Sequence, residues 1–260
     1  KTVTVVHLAG EEKAVLSYDK LVLATGAIPI VPPLPGKDLP GVFPLATMHD
    51  ALAVKEFIEK GSCQKAVIVG GGLIGLEAAE ALHARGIQVA IIEKLATLLP
   101  ALLDTEIALL LKNYLTARGI RIITSDSVQR FESGTSGRLE KVVTEKDALD
   151  ADLVLLAVGF RPNTALARNA GLAIGATGAI EVNRHLQTSD PDIYAGGDCV
   201  ENPHRISGKD IFAPMGSTAN KHGRIIADNI AGDQESFPGV LGTAVCKIFD
   251  YSVGRTGLSE

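Results

Sequence analysis

The chain is poor in the residues that build metal centres and disulfide frameworks. Its three cysteines, Cys63, Cys199 and Cys246, stand far apart among 260 residues, none in C-x-x-C spacing and none with a histidine at ligand spacing. Neither a metal site nor a local redox disulfide can be read from such a pattern, and each cysteine reads as a small buried hydrophobe. The six histidines are equally scattered, and His83 falls inside a helical pattern as a helix-surface residue. A basic excess is also missing. With 25 Lys and Arg against 30 Asp and Glu, the net charge of −5 argues against nucleic acid or an anionic membrane as the main partner. Long hydrophobic runs are absent too: Leu153–Val158 suits a buried parallel strand and falls far short of the ~20 residues of a membrane span. At the start of the chain Val3 and Val5 alternate with Thr2 and Thr4, as in a strand, so no signal peptide is read and the cytoplasm is the expected location.

What the sequence does hold is glycine, 27 residues of it, in a chain that is 46% hydrophobic and 21% charged. That composition suits a globular α/β protein of one or two domains with many tight turns. The most informative run is Ala66–Gly86, AVIVGGGLIGLEAAEALHARG, in which an apolar strand breaks into Gly70-x-Gly72-x-x-Gly75 and continues as a helical pattern. Gly70 permits the tight turn, Gly72 lets backbone N–H groups approach a pyrophosphate, and Gly75 lets the helix pack closely on the strand. A second strand, Ile87–Ile92, follows, with Glu93 at its tip. Glu93 lies 18 residues beyond Gly75, near the roughly 20 expected of a ribose-binding acid.

Elsewhere, Lys1–Val6 and Ala14–Leu16 read as a hairpin around Gly10-Glu11, and Lys20–Ala24 as a strand ending in Thr25-Gly26. The stretch Ile28–Pro44 carries six prolines and two glycines, which forbids regular helix or central strand and reads as an ordered connection between domains. Asp50 is a candidate cap for a helix to about Lys60. Asp104 is a candidate N-cap for an amphipathic helix Thr105–Arg118 that Gly119 terminates, and Ile120–Thr124 completes a βαβαβ unit. Val128–Phe131 and Leu139–Thr144 suggest an antiparallel meander. The strand Asp152–Val158 ends at Gly159, a second candidate dinucleotide contact because ligands gather at strand C-termini beside a crossover. A turn at Ser189–Asp192, a short strand and Gly196-Gly197-Asp198 follow, and Ser217 or Thr218 begins a helix to about Ile230, closed by Gly232. A carboxylate after two glycines suits a hydroxyl-rich ligand, and a helix N-terminus nearby suits negative charge.

Four motifs occur in one order: Ala24-Thr25-Gly26, the glycine run through Glu80, Ala157-Val-Gly-Phe-Arg-Pro-Asn163, and Ile193-Tyr-Ala-Gly-Gly-Asp198. In this order the chain resembles the FAD-dependent pyridine nucleotide-disulfide oxidoreductases. Its ending, Gly242-Thr-Ala-Val-Cys-Lys-Ile-Phe-Asp250, is similar to the branch containing coenzyme A disulfide reductase, NADH oxidase, NADH peroxidase and persulfide reductases. The resemblance implies a Rossmann-type NAD-binding domain inserted in an FAD-binding α/β domain, three-layered, with a parallel sheet and a β-meander. It implies a partial FAD domain and linker at 1–61, the NAD domain at 62–183, the return to the FAD domain at 184–238, and the start of an α+β interface domain at 239–260. On that plan the chain is a piece of an enzyme. The first FAD motif and the single redox cysteine are expected outside it, none of the three cysteines occupies that position, and no catalytic residue is named.

The implied chemistry is hydride transfer from NADH to flavin N5, then electron transfer to a cysteine-based disulfide, sulfenate or mixed disulfide. The acceptors implied are a small-molecule disulfide, persulfide, peroxide or oxygen, and the assembly implied is a homodimer. For NAD the resemblance implies Gly70, Gly72, Leu73, Ile74, Gly75, Glu77, Glu93 and Gly159. Ile74 would lie under the nicotinamide, Glu77 near the junction of nicotinamide and flavin, and Leu73 where relatives often place an aromatic gate. Glu93 would favour NADH over NADPH by repelling a 2′-phosphate. For FAD it implies Ala24, Thr25 and Gly26, with Gly197 and Asp198 at the ribityl chain, and Met215, Gly216 and Ser217 aiming helix N–H groups at the flavin.

Overall fold

A computed structural model describes residues 1–8, 10, 12–61 and 63–258. In chain order the elements are β1 (Thr2–Val6), β2 (Lys13–Ser17), β3 (Leu21–Leu23), β4 (Ala27–Pro29), β5 (Val42–Pro44), α1 (Met48–Lys60), β6 (Lys65–Val69), α2 (Leu73–His83) and β7 (Gln88–Glu93). Then come α3 (Thr105–Ala117), β8 (Arg121–Thr124), β9 (Val128–Ser133), β10 (Leu139–Thr144), β11 (Ala148–Asp150), β12 (Leu153–Leu156), β13 (Phe160–Pro162) and α4 (Ala165–Asn169). The last are β14 (Ile193–Ala195), β15 (Asn202–Pro203), β16 (Asp210–Ile211), α5 (Gly216–Ala231), β17 (Ala244–Ile248) and β18 (Tyr251–Arg255). They form two compact units, both discontinuous in sequence. The first comprises Lys1–Ala27 and Arg161–Leu241, and the second runs from Ile28 to Phe160 and resumes at Gly242.

The second unit is built on a parallel sheet in the order β5-β12-β6-β7-β8. Its strands are apolar on both faces because both faces are covered. Ala66, Ile68, Ile91 and Leu155 pack beneath α1, α2 and α3 with Val54, Leu76, Leu111 and Leu115. Val67, Val69, Ile92 and Leu156 point the other way, against Phe131, Val142 and Leu149 of the antiparallel meander β9-β10-β11. Helices, parallel sheet and meander thus make the three layers expected of this α/β class.

Local readings needed four corrections. Helix α1 is capped by Thr47, and Asp50 instead completes a capping box from the third helical position, its carboxylate accepting the Thr47 N–H at 2.8 Å. The proline-rich stretch ends in a strand: β5 joins the sheet beside β12, as an edge, where proline is tolerated. Asp104 does stand before α3, but its side chain makes no cap hydrogen bond. His83 is half-buried and meets Phe249 edge to face at 5.6 Å, so it is a packing residue. The expected turn around Gly10-Glu11 includes Glu11, which lies outside the described residues, while β1 and β2 pair antiparallel as expected.

Residues from Gly242 onward belong to the second unit through the hairpin β17–β18, whose Cys246, Ile248 and Val253 enter the helix-side core. Its tip is held by polar contacts. The Phe249 N–H donates to the Glu80 carboxylate at 2.7 Å and the Asp250 N–H to the Tyr114 hydroxyl at 3.0 Å. The Arg118 guanidinium lies over the Tyr114 ring at 4.0 Å and pairs with Asp250 at 3.2 Å.

In the first unit, β3 and β14 form a two-stranded parallel sheet with Leu21 beside Ile193 and Leu23 beside Ala195. Leu23, Ile180, Ile193, Cys199 and Val200 make one small core, and Leu186, Tyr194, Ile226 and Phe237 another beneath α5.

Candidate functional site

Each unit carries a glycine turn at the C-terminal end of a parallel strand. In the second unit the turn follows β6. Gly70 adopts φ +111°, its N–H donates to the Ile92 carbonyl at 2.8 Å, and a Cβ there would come within 2.3 Å of the Ala157 carbonyl oxygen. A Cβ on Gly75 would lie 2.2 Å from the Gly70 carbonyl oxygen, so only glycine lets α2 sit this close to the strand. Gly72, the N-cap of α2, provides no side-chain cap, and a Cβ there would meet no described atom within 4 Å. The turn is therefore closed by protein at Gly70 and Gly75 and open at Gly72, where helix N–H groups remain for an anion.

Glu93 is bound up with the turn itself. Its carboxylate accepts the Gly71 N–H at 2.7 Å through Oε2 and the Leu95 N–H at 2.8 Å through Oε1, and the residue is only 8% exposed. It braces the glycine turn, leaving its remaining lone pairs for any ribose hydroxyl. Leu73 is partly buried against the helix-side core and Ile74 is half-buried, whereas Glu77 is exposed on α2. Gly159 has φ +107° and its carbonyl accepts the Ile30 N–H at 3.0 Å. A Cβ there would meet Ile30 Cδ1 at an ordinary 3.9 Å, so the backbone angle demands glycine there.

In the first unit the turn Gly196–Asp198 follows β14 and borders a cavity of about 640 Å³. Of the residues expected at a flavin, Ala24, Gly26, Gly197 and Asp198 line it, joined by Val22, Gly196 and five residues of α5. Thr25 is not among the lining residues; its hydroxyl donates to the Asn163 carbonyl at 2.6 Å, and the Asn163 N–H donates to the Gly26 carbonyl at 2.9 Å. Met215, Gly216 and Ser217 begin α5 outside the lining. Burial pushes the Asp198 carboxyl above its ordinary range, and the nearby Met215 backbone at the start of α5 partly opposes that shift.

Sequence reading missed the floor of this cavity. Ala219, Gly223 and Ala227 recur every fourth residue on α5 and face it together. That spacing of small residues was legible, but nothing in it distinguishes a cavity wall from close helix packing. Also missed was His222, fully buried on the same helix, which accepts the Gly197 N–H at 3.1 Å.

All three cysteines are free. Burial, and secondarily Asp152, pushes the Cys63 thiol to about 11; burial, then the charge of Glu77, raises Cys246. Cys199 is buried with its Sγ 3.3 Å from the Gly196 carbonyl. Cys63 and Cys246 are thus held as thiols, unsuited to nucleophilic work.

A family model described as pyridine nucleotide-disulphide oxidoreductase matches residues 1–213. The chain is 43% identical to an NADH oxidase of Methanocaldococcus jannaschii, over 94% of this chain and 54% of that protein. It is 41% identical to an NAD(P)H coenzyme A polysulfide/persulfide reductase of Pyrococcus horikoshii, over 96% of this chain and 56% of that one. Among solved structures, an NAD-dependent persulfide reductase from A. fulgidus superposes with a TM-score of 0.96 at 43% identity, covering all of this chain and 48% of the other. The chain spans about half the length of the curated relatives it matches.

Proposed function

The chain belongs to the pyridine nucleotide-disulphide oxidoreductase family, and from that premise we propose that it is the cofactor-binding part of a flavoprotein that passes hydride from NADH to FAD and reduces a thiol-based acceptor. The observation that carries this reading is the presence of two glycine turns, each with a carboxylate, one in each unit. In the second unit the opening at Gly72 suits a pyrophosphate, and Gly70, Gly75 and Gly159 supply backbone that a side chain would obstruct or strain. Glu93 is the ribose acceptor, and its negative charge disfavours a 2′-phosphate, so NADH is the preferred donor. In the first unit Asp198 accepts a hydroxyl of the ribityl chain, and the start of α5 offers positive partial charge to the negative edge of a reduced flavin. Flavin, when bound, supplies two-electron acceptance from reduced nicotinamide and delivery to sulfur or oxygen. The redox cysteine of this reading lies outside the chain, and the assembly it carries is a cytoplasmic homodimer.

A persulfide or coenzyme A disulfide is the favoured acceptor class, supported by the relatives named for sulfur chemistry. Oxygen is the second reading, supported by the relative named NADH oxidase. To separate them, NADH consumption by the complete protein is followed with and without oxygen, offering coenzyme A disulfide, a persulfide or peroxide. Turnover with sulfur acceptors under anaerobic conditions is expected. Turnover with oxygen alone overturns the reductase reading, and a colourless protein that binds no FAD overturns both.

A further inference from the structure

We propose that His222 is a positioning residue for the flavin-facing turn: as a neutral imidazole with Nδ1 unprotonated, it holds the Gly197 N–H and so fixes the backbone that presents Asp198 to the cavity. The proposal rests on the reading of that cavity as a flavin site. Its geometry is specific. The His222 ring is completely buried, its Nδ1 is 3.1 Å from the Gly197 nitrogen, and Nε2 has no hydrogen-bond partner among the described residues. A backbone N–H donates only to an unprotonated ring nitrogen, so the ring carries its single proton on Nε2. Phe237 stands edge to face with the ring at 4.3 Å, excluding water from that side.

The helix is held close for this contact. A Cβ on Gly196 would lie 3.0 Å from His222 Cβ and 2.8 Å from Ile226 Cδ1. The turn is thus tied to α5 by the Gly197 N–H at His222 and by the close packing of Gly196 on His222 and Ile226. Gly197 takes φ +79°; its carbonyl accepts the Val200 N–H at 3.4 Å, and its own N–H is held by the imidazole.

Burial alone lowers the His222 pKa from 6.5 to about 4. The charged and titratable groups on the packed elements include Arg184 and His185 beside Leu186, Tyr194 on β14, Asp198 after the turn, Asp233 and Glu235 on the segment leading to Phe237, and Lys221 and Arg224 on α5 itself. None contributes to the shift. Protonation would turn Nδ1 into a donor facing the Gly197 donor, and the turn would be released.

The test compares the complete wild-type protein with H222N, whose Oδ1 can stand where Nδ1 stands but does not protonate, and with H222L, which fills space without an acceptor. FAD binding to deflavinated protein is read by fluorescence at pH 7.5. H222L is expected to bind about tenfold more weakly, the size of a buried N–H left unpaired, and H222N within about threefold of wild type. As the pH is lowered, wild-type FAD release is expected to set in at higher pH than release from H222N, by about half a unit or more. Equal affinities for wild type and H222L, or superimposable acid-release curves for wild type and H222N, overturn the proposal; should H222L fail to fold, the acid-release comparison decides. A wild-type protein that takes up no FAD overturns the flavin reading instead. In that event amide exchange at Gly197, slower in wild type than in H222L if the imidazole holds the turn and equal if it does not, still decides the role of His222.

Discussion

The turn after β6 and the turn after β14 both use consecutive glycines at the end of a parallel strand, yet glycine is required for different reasons. At Gly70 and Gly75 the backbone closes in: a Cβ would meet a carbonyl oxygen at 2.3 or 2.2 Å. After β14 Gly196 is crowded by side chains, Ile226 Cδ1 at 2.8 Å from a Cβ, but at Gly197 the nearest atom to a Cβ would be Ala219 Cβ at 3.6 Å, ordinary contact, and the demand comes from φ +79° alone. The N–H groups differ as well. Gly71 donates to a carboxylate and Gly197 to an imidazole. The five-stranded sheet packs its turn with protein and braces it with a carboxylate, whereas the two-stranded sheet borders a cavity and braces its turn with an imidazole.

Substituting the glycines breaks the comparison most directly. Gly70→Ala combines backbone strain with a backbone clash and is expected to cost about 3–5 kcal/mol, whereas Gly197→Ala, with strain only, costs about 1–2 kcal/mol. Urea unfolding midpoints of the two variants measure the difference; equal losses refute the distinction. Acid sharpens it next. His222 has a folded pKa below its unfolded value, so its neutral form stabilises the first unit fully above about pH 6.5, and that stability drains away as the pH falls toward about 4. About 2–3 kcal/mol is expected to be lost over that window. Amide exchange against pH should register the loss around Gly197.

A smaller effect is expected from Glu93→Gln. The amide can keep one of the two backbone bonds but presents an NH₂ to the other N–H, at a cost of about 2 kcal/mol in stability. Calorimetry should find NADH binding weakened and the preference over NADPH reduced; unchanged selectivity would confine Glu93 to bracing the turn. Least is expected from Asp250→Asn. It removes an ion pair whose aspartate is 84% exposed, worth below about 0.5 kcal/mol, and leaves the backbone bond to Tyr114 in place. A thermal shift of several degrees would show that the Arg118 cluster is stronger than an ordinary surface pair.

The second unit was largely legible because its rules are local. Apolar runs of strand length, a glycine turn and an acid at the right spacing mark β6 and β7 within one residue and the end of α2 within three. The edge strand β5 was not legible, since prolines argue against a strand unless the partner on one side is known. In the first unit the motif Gly196–Asp198 could be found, but its supports could not. His222 lies 25 residues from Gly197, and a buried histidine in a helix has no signature until the helix is packed. The bracing role of Glu93 was hidden for a related reason: spacing identifies an acid at a strand tip without revealing which N–H groups it already serves.

The interleaving of the two units has a consequence for synthesis of the chain. The helix-side core of the second unit contains Cys246, Ile248 and Val253 together with Ile68 and Ile91, so its earliest strands wait for residues made more than 150 positions later. At roughly 5–20 residues per second, that interval lasts on the order of ten to thirty seconds on a ribosome. During it the first unit's later strand, β14, is also emerging to meet β3. Neither unit can be completed before most of the other has been translated, and a nick between Phe160 and Arg161 would divide both.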